Sequence, residues 1–279
     1  MRWEVTMPFT SILSLLNTQA ADSIASVSRV TAVDACSSIS VIHAVLKKES
    51  QGLLHTFNMT ETCYSKEEEE TIDRVLNFTT ERGIDNATII QRFDKISEEY
   101  DEVQITIRWT GPQWMGESVA CQYPSNRGNI RILDVAAGTG LVSVELRKHG
   151  FVHIDGLEPA ERMLEQAKKK NLYERYICDM LGDNTLDIAD DTYTAVTMSG
   201  LSREIMKKLP VKALEELARV TKPGGHVMMN SYDYNFESEI LRANLANLES
   251  RGIWKLESKQ ARQHISNGVG GLLHIYTVL

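Results

Sequence analysis

The chain has 279 residues, enough for one large domain or two small ones. Hydrophobic residues make up 42% and charged residues 24%, the balance of a globular protein rather than a disordered one. A formal net charge of −8 argues against a non-specific nucleic-acid binder, which needs a basic surface to displace phosphate counterions.

The four cysteines, Cys36, Cys63, Cys121 and Cys178, form no C-x-x-C pair and have no histidine at metal spacing. That pattern fits a reducing compartment, free thiols and no metal site, and a cytoplasmic location is expected. No run approaches the roughly 18 apolar residues of a membrane span, so no membrane partner is expected.

In chain order, residues 1–65 come first, rich in Ser, Thr and Ala with short apolar patches such as Ser11–Leu16. The patch is too short for a secretory signal, and Glu4 stands where a basic region belongs. Glu4, Asp22 and Asp34 also argue against a mitochondrial presequence, so a weakly structured extension, or else a helix that docks elsewhere, is expected. Lys66 and the acids Glu67 to Glu70 open an amphipathic stretch carrying Ile72, Val75 and Leu76. Asn86 is expected to cap a second helix, with Ile89, Ile90, Phe93 and Ile96 toward a core and an end near Glu98–Asp101.

From Ile130 onward, short apolar runs alternate with amphipathic segments. Ile132–Val135, Val152–Leu157, Tyr176–Cys178, Tyr193–Met198 and His226–Asn230 read as strands, as does the closing run Leu272–Leu279. Helices are expected over Leu141–His149, from Pro159 across Met163, Leu164 and Ala167, and from Pro210 across Leu214, Leu217 and Ala218. The basic run Lys168–Lys170 closes the middle one, where cations offset the helix dipole. Strand–helix alternation gives an α/β fold: a doubly wound, mostly parallel sheet with helices on both faces.

Ligands of such a sheet sit beyond the carboxyl ends of the strands, where strand order reverses. The turn after the first strand, within Ile132–Leu141, carries Asp134, Gly138 and Gly140. Glycines there let another molecule approach the backbone. A nicotinamide dinucleotide asks for G-x-G-x-x-G, but Ser143 stands in third place and Asp134 would repel a pyrophosphate. S-adenosylmethionine has no phosphate; it offers a sulfonium, an ammonium, a ribose diol and an adenine. A carboxylate at the turn can order the loop amides and meet the cationic end. Glu158, twenty residues after Gly138 at the end of the second strand, has the spacing of a ribose acid, with Asp155 as its rival. Asp179, after the third strand, is placed to accept from the adenine amino group, with the Met180 amide near the ring.

The runs ILDVAAGTGLVSVELRKHG, IDGLEPAERMLEQA, ICDM and LARVTKPGGHV resemble the class I S-adenosylmethionine-dependent methyltransferases, over about Phe93 to Leu279. Asn171–Tyr173 and the segment from Asn267 to Tyr276 are similar, more narrowly, to the methyltransferase-like proteins of the Williams–Beuren region. The resemblance implies a seven-stranded sheet in the order 3-2-1-4-5-7-6, strand 7 antiparallel. It implies cofactor contacts from Asp134, Ala136, Gly138 and Gly140, from Glu158 and Pro159, and from Asp179 and Met180. Phe93–Asp101 is similar to a segment that closes over the methionine end, which implies a helical lid at 66–115 on a domain spanning 66–279 and places Tyr100 near the sulfonium. The chain departs from the pattern at Ala137, where glycine or cysteine is frequent, and at Thr194, where an aspartate usually opens the fourth strand.

The fourth strand runs into Met198–Ser202 without the Asn/Asp-Pro-Pro-Tyr/Phe motif of enzymes that methylate amides or base amines, and without the acids of polyamine synthases. Tyr232 and Asp233 are candidates to line an acceptor pocket, but no catalytic base can be named. The leading expectation is a methyltransferase acting on a small-molecule acceptor more readily than on a protein. The alternative from another class is a non-catalytic S-adenosylmethionine-binding module that acts through a protein partner.

Overall fold

The computed structural model describes residues 64–80 and 83–279. The expected extension at 1–65 therefore lies outside the described residues, apart from Tyr64 and Ser65, as do Cys36 and Cys63.

Seven strands form one sheet: β1 (Arg131–Val135), β2 (His153–Leu157), β3 (Tyr176–Ile177), β4 (Tyr193–Ser199), β5 (Thr221–Tyr232), β6 (Trp254–Ser266) and β7 (Val269–Val278). Their order is β3-β2-β1-β4-β5-β7-β6. The pairs along β3-β2-β1-β4-β5 are parallel, and β7 runs antiparallel to both β5 and β6. This is the expected fold. Strand order reverses between β1 and β4, which puts the crevice of the sheet at the turn after β1.

Nine helices surround the sheet among the described residues: α1 (Lys66–Thr80), α2 (Asn86–Ile96), α3 (Tyr100–Thr106), α4 (Gly111–Gln122), α5 (Leu141–Lys148), α6 (Glu161–Lys169), α7 (Arg203–Lys208), α8 (Val211–Val220) and α9 (Glu239–Ser250). Alternate residues of the central strands feed two cores, because successive side chains of a strand point to opposite faces. Leu133, Val135, Val196, Met198, Val227 and Met229 pack with Leu214 and Leu217 of α8 and Leu241, Leu245 and Leu248 of α9. Ile132, Ile154, Ala195 and Met228 pack on the other side with Trp114, Met115 and Val119 of α4 and Val142 and Leu146 of α5. Val75, Ile96 and Val103 of α1 to α3 join this second core.

Several expected boundaries shift. Asp85 caps α2 rather than Asn86, because its carboxylate accepts from the Thr88 amide at 2.7 Å. The helix does not run on to Asp101: it stops at Ile96, and Tyr100–Thr106 is a separate helix. Pro159 lies before α6, whose N-cap is Ala160, and Pro210 is the N-cap of α8 rather than its first residue. β5 begins earlier than expected and includes the Lys222–Gly225 turn.

Candidate active site

The turn between β1 and α5 is built on left-handed backbone: φ is +52° at Ala136, +55° at Gly138 and +88° at Gly140. The two glycines serve different ends. A Cβ added at Gly138 would meet only Met163 Cε, at 3.6 Å, so the turn there stays open. A Cβ at Gly140 would sit 2.4 Å from Leu172 Cδ1, so this glycine lets α5 pack against the segment after α6.

Glu158, at the end of β2, ties the turn down. Its Oε2 accepts from the Gly138 amide at 2.8 Å and its Oε1 from the Ala160 amide at 2.9 Å. Burial pushes its carboxyl up to about 7; the two amides pull the other way, and Asp94 adds repulsion. This is a correction to the sequence reading, which gave the ordering of the loop amides to Asp134. Asp134 is buried beneath the turn instead, accepting from the Tyr173 hydroxyl at 2.7 Å and the Thr197 hydroxyl at 3.0 Å. Burial raises its carboxyl to about 7 against those two donors. Asp155, the rival ribose acid, is wholly buried elsewhere, held by Arg131, the Tyr193 hydroxyl and the Arg175 amide.

One cavity of about 210 Å³ opens at the turn. Of the sequence-predicted residues it gathers Tyr100, Ala136, Gly138, Glu158, Pro159, Asp179 and Met180. Asp134 and Gly140 are not among its lining residues; they act on the turn from below. Tyr232 and Asp233, the candidates for an acceptor pocket, do not line it. The Tyr232 ring packs with Trp109 at 4.9 Å and stacks on Tyr234 at 5.4 Å. Asp179 accepts from the Met180 amide at 2.7 Å and from the Asn184 side chain at 3.3 Å, which fixes its loop.

The N-terminal helices wall the cavity with Ile89, Ile90, Phe93 and Tyr100. They are pinned at two points. Asp94 accepts from the Arg162 amide at 2.8 Å, at the start of α6. Asp101 accepts from the Thr139 hydroxyl at 2.5 Å and pairs with Lys170, which also donates to the Thr139 carbonyl at 2.9 Å. No individual role at the site is legible in the sequence for Tyr173, Thr197, Asp101 or Lys170, although Asp101 belongs to the closing segment Phe93–Asp101. The available signal was Gly156 within β2: a Cβ there would lie 2.8 Å from the Tyr173 ring, and a glycine inside a strand marks such a close approach.

The residues present fit a cationic nucleoside. Two buried carboxylates with raised pKa gain from an arriving cation, and the open Gly138 turn admits a ligand against the backbone. They do not fit a pyrophosphate, because a carboxylate already takes the Gly138 amide that would hold it.

Comparison with known proteins agrees with the geometry. A family model described as a methyltransferase domain matches residues 132–225, from β1 into β5. Methyltransferase-like protein 27 of Homo sapiens is 34% identical over 175 residues, covering 61% of this chain and 70% of its own. A demethylmenaquinone methyltransferase of Clavibacter sepedonicus is 33% identical over 138 residues, covering 49% of this chain and 55% of its own. Among solved structures, the [4+2]-cyclase SpnF superposes with a TM-score of 0.52 at 13% identity, covering 68% of this chain and 95% of that one, a likeness of fold alone. The chain belongs to the class I S-adenosylmethionine-dependent methyltransferases, and S-adenosylmethionine is its cofactor. Within that family it is similar to methyltransferase-like protein 27.

Proposed function

We propose that the protein transfers a methyl group from S-adenosylmethionine to a small-molecule acceptor, in the cytoplasm, with the cofactor held in the cavity at the β1 turn. The observation that carries this reading is Glu158: a buried carboxylate at the end of β2, fixed by two backbone amides and lining the cavity. Each of its oxygens has a second lone pair, so it can accept from a ribose diol without releasing the turn. Asp179 and Met180 border the same cavity from the loop after β3, where an adenine would lie, and Ala136, Gly138 and Pro159 supply its backbone edge. Tyr100 offers an aromatic face to a cation. Asp134 and Gly140 support the turn from beneath.

Bound S-adenosylmethionine supplies a methyl group already activated on a sulfonium. The residues of the chain then have to orient the acceptor and exclude water. Residues 66–115 form the lid of a catalytic domain spanning 66–279, with Asp94 and Asp101 as its fastenings.

Calorimetric titration with S-adenosylmethionine, S-adenosylhomocysteine and a nicotinamide dinucleotide tests the reading. Micromolar binding of the first two and none of the third is expected. Binding of the dinucleotide alone would overturn it. Cofactor binding without turnover on any acceptor would favour a module that acts through a protein partner.

A further inference from the structure

The cavity is chemically lopsided. The acids among its lining residues, Glu158, Asp179 and Asp183, all follow β2 and β3. β4 lies on the opposite side of β1 from those two strands, so the residues after β4 form a separate flank. On that flank and on α2 the walls are apolar: Ile89, Ile90, Leu201, Ile205, Leu209 and Pro210.

Besides Asn86 at the start of α2 and Lys208, two serines interrupt this apolar surface. Ser199 and Ser202 both line the cavity, and the Oγ of each is shielded from solvent with no hydrogen-bond partner among the described residues. Ser202 is the N-cap of α7, yet its side chain makes no capping bond. An unpaired buried hydroxyl is costly, and the usual remedy is a partner from outside the chain. The charged group nearest in sequence that also lines this flank is a cation, Lys208, whose Nζ donates to the Ile84 carbonyl. Among the described residues no carboxylate lines this flank to neutralise an ammonium. Among the described residues no histidine lines the cavity, and burial holds the Tyr100 phenol above its ordinary range, so neither is available to deprotonate a hydroxyl acceptor.

We propose that this flank binds the carboxylate of a small apolar carboxylic acid, with the Ser199 and Ser202 hydroxyls donating to its oxygens and the apolar walls taking its hydrocarbon part. The inference rests on the cofactor reading above and names the acceptor class of that same cavity. A carboxylate is already ionised near neutral pH, so it needs no base. Its oxygen forms the new bond to the methyl carbon with its own lone pair. The electron pair of the broken carbon–sulfur bond stays on sulfur, and the products are a methyl ester and S-adenosylhomocysteine, with no proton to place.

The test uses the full chain saturated with S-adenosylhomocysteine, titrated with hexanoate, 1-hexanol and hexylamine. Hexanoate is expected to bind at least tenfold more tightly than 1-hexanol, with hexylamine weakest, because hydrogen bonds to a charged acceptor are the strong ones. The Ser199→Ala/Ser202→Ala double variant should bind S-adenosylhomocysteine as the parent does while hexanoate loses that advantage. Hexylamine binding as well as hexanoate would overturn the proposal, as would no hexanoate binding to the saturated protein. So would unchanged hexanoate affinity in the double variant, and a single Ser199→Ala variant gives the same readout if the double variant fails to fold. Failure to bind S-adenosylhomocysteine at all shows in the first titration, before any acid is added, and overturns the cofactor reading itself.

Discussion

Replacing Glu158 by glutamine separates a binding role from a structural one, because the two roles predict opposite results for affinity and stability. Glutamine has the same shape but only one acceptor oxygen, so one of the amides of Gly138 and Ala160, now 2.8 and 2.9 Å from the carboxylate, would face an NH2 group. Hydrogen bonds to a charged group contribute about 1.5–3 kcal/mol each. On the ligand side, the variant loses the charge proposed to meet the ribose diol and part of the turn's order. A fall in S-adenosylmethionine affinity of roughly tenfold to a hundredfold follows. On the folding side, burial holds the carboxyl near 7 instead of 4.5, which is worth about 3 kcal/mol against the ionised form. A neutral glutamine escapes that cost, and the escape offsets the mismatched amide. The free variant should therefore unfold in urea at pH 8 within about 1 kcal/mol of the parent. Calorimetry and urea unfolding on the same preparations check both halves. Parental affinity in a folded variant would refute the ribose role, and a loss of several kcal/mol in stability would show that Glu158 serves the fold.

Further predictions concern the rest of the site. Asp134 and Glu158 both ionise in the folded chain near pH 7 but near 4 once unfolded, so the free protein loses stability as pH rises from about 4 toward 7. Over pH 6 to 8, S-adenosylmethionine should bind progressively more tightly as the acids ionise, and the uncharged sulfur of S-adenosylhomocysteine should show a weaker trend; a flat profile for both would contradict the raised values. Gly138→Ala has space for its Cβ but holds φ at +55°, so it should cost about 1 kcal/mol in stability, together with weakened cofactor binding. Gly140→Ala drives Cβ into Leu172 and should show mainly as a loss of stability of about 1–3 kcal/mol in thermal or urea unfolding. Tyr173→Phe removes one of the two hydroxyl donors to buried Asp134 and should destabilise the fold by about 1–3 kcal/mol, most at high pH where Asp134 is ionised. Asp101→Asn removes the charge that pairs with Lys170 and should weaken cofactor binding several-fold, because Tyr100 is then less firmly held beside the cavity.

The sheet was legible where the strands are buried on both faces. The run RILDV reads as apolar because β1 has neighbours on either side and helices above and below. α4 escaped for the opposite reason. Trp114, Met115, Gly116, Ser118, Val119 and Ala120 are all buried, and only the narrow line Gln113, Glu117 and Cys121 is exposed, so the apolar face is too wide to stand out as a stripe. β6 escaped as an edge strand: its central stretch is largely exposed and carries Lys259 and Arg262, the kind of charge that protects a free edge. Glu158, which lines the cavity, was legible from its spacing after Gly138 together with its place at the strand-to-helix turn before Pro159, which set it apart from Asp155 inside the strand. The partners of Asp134 were not legible. Tyr173 and Thr197 arrive from other strands and loops, 39 and 63 residues away in sequence, and only the closed sheet brings them together.

The most direct test of the central claim is a crystal structure of the full chain with S-adenosylhomocysteine. The ribose hydroxyls are expected within hydrogen-bond reach of Glu158, the adenine beside Asp179 and Met180, and the homocysteine sulfur on the Tyr100 side of the cavity. A nucleoside lodged elsewhere, or a ribose turned away from Glu158, would contradict that claim.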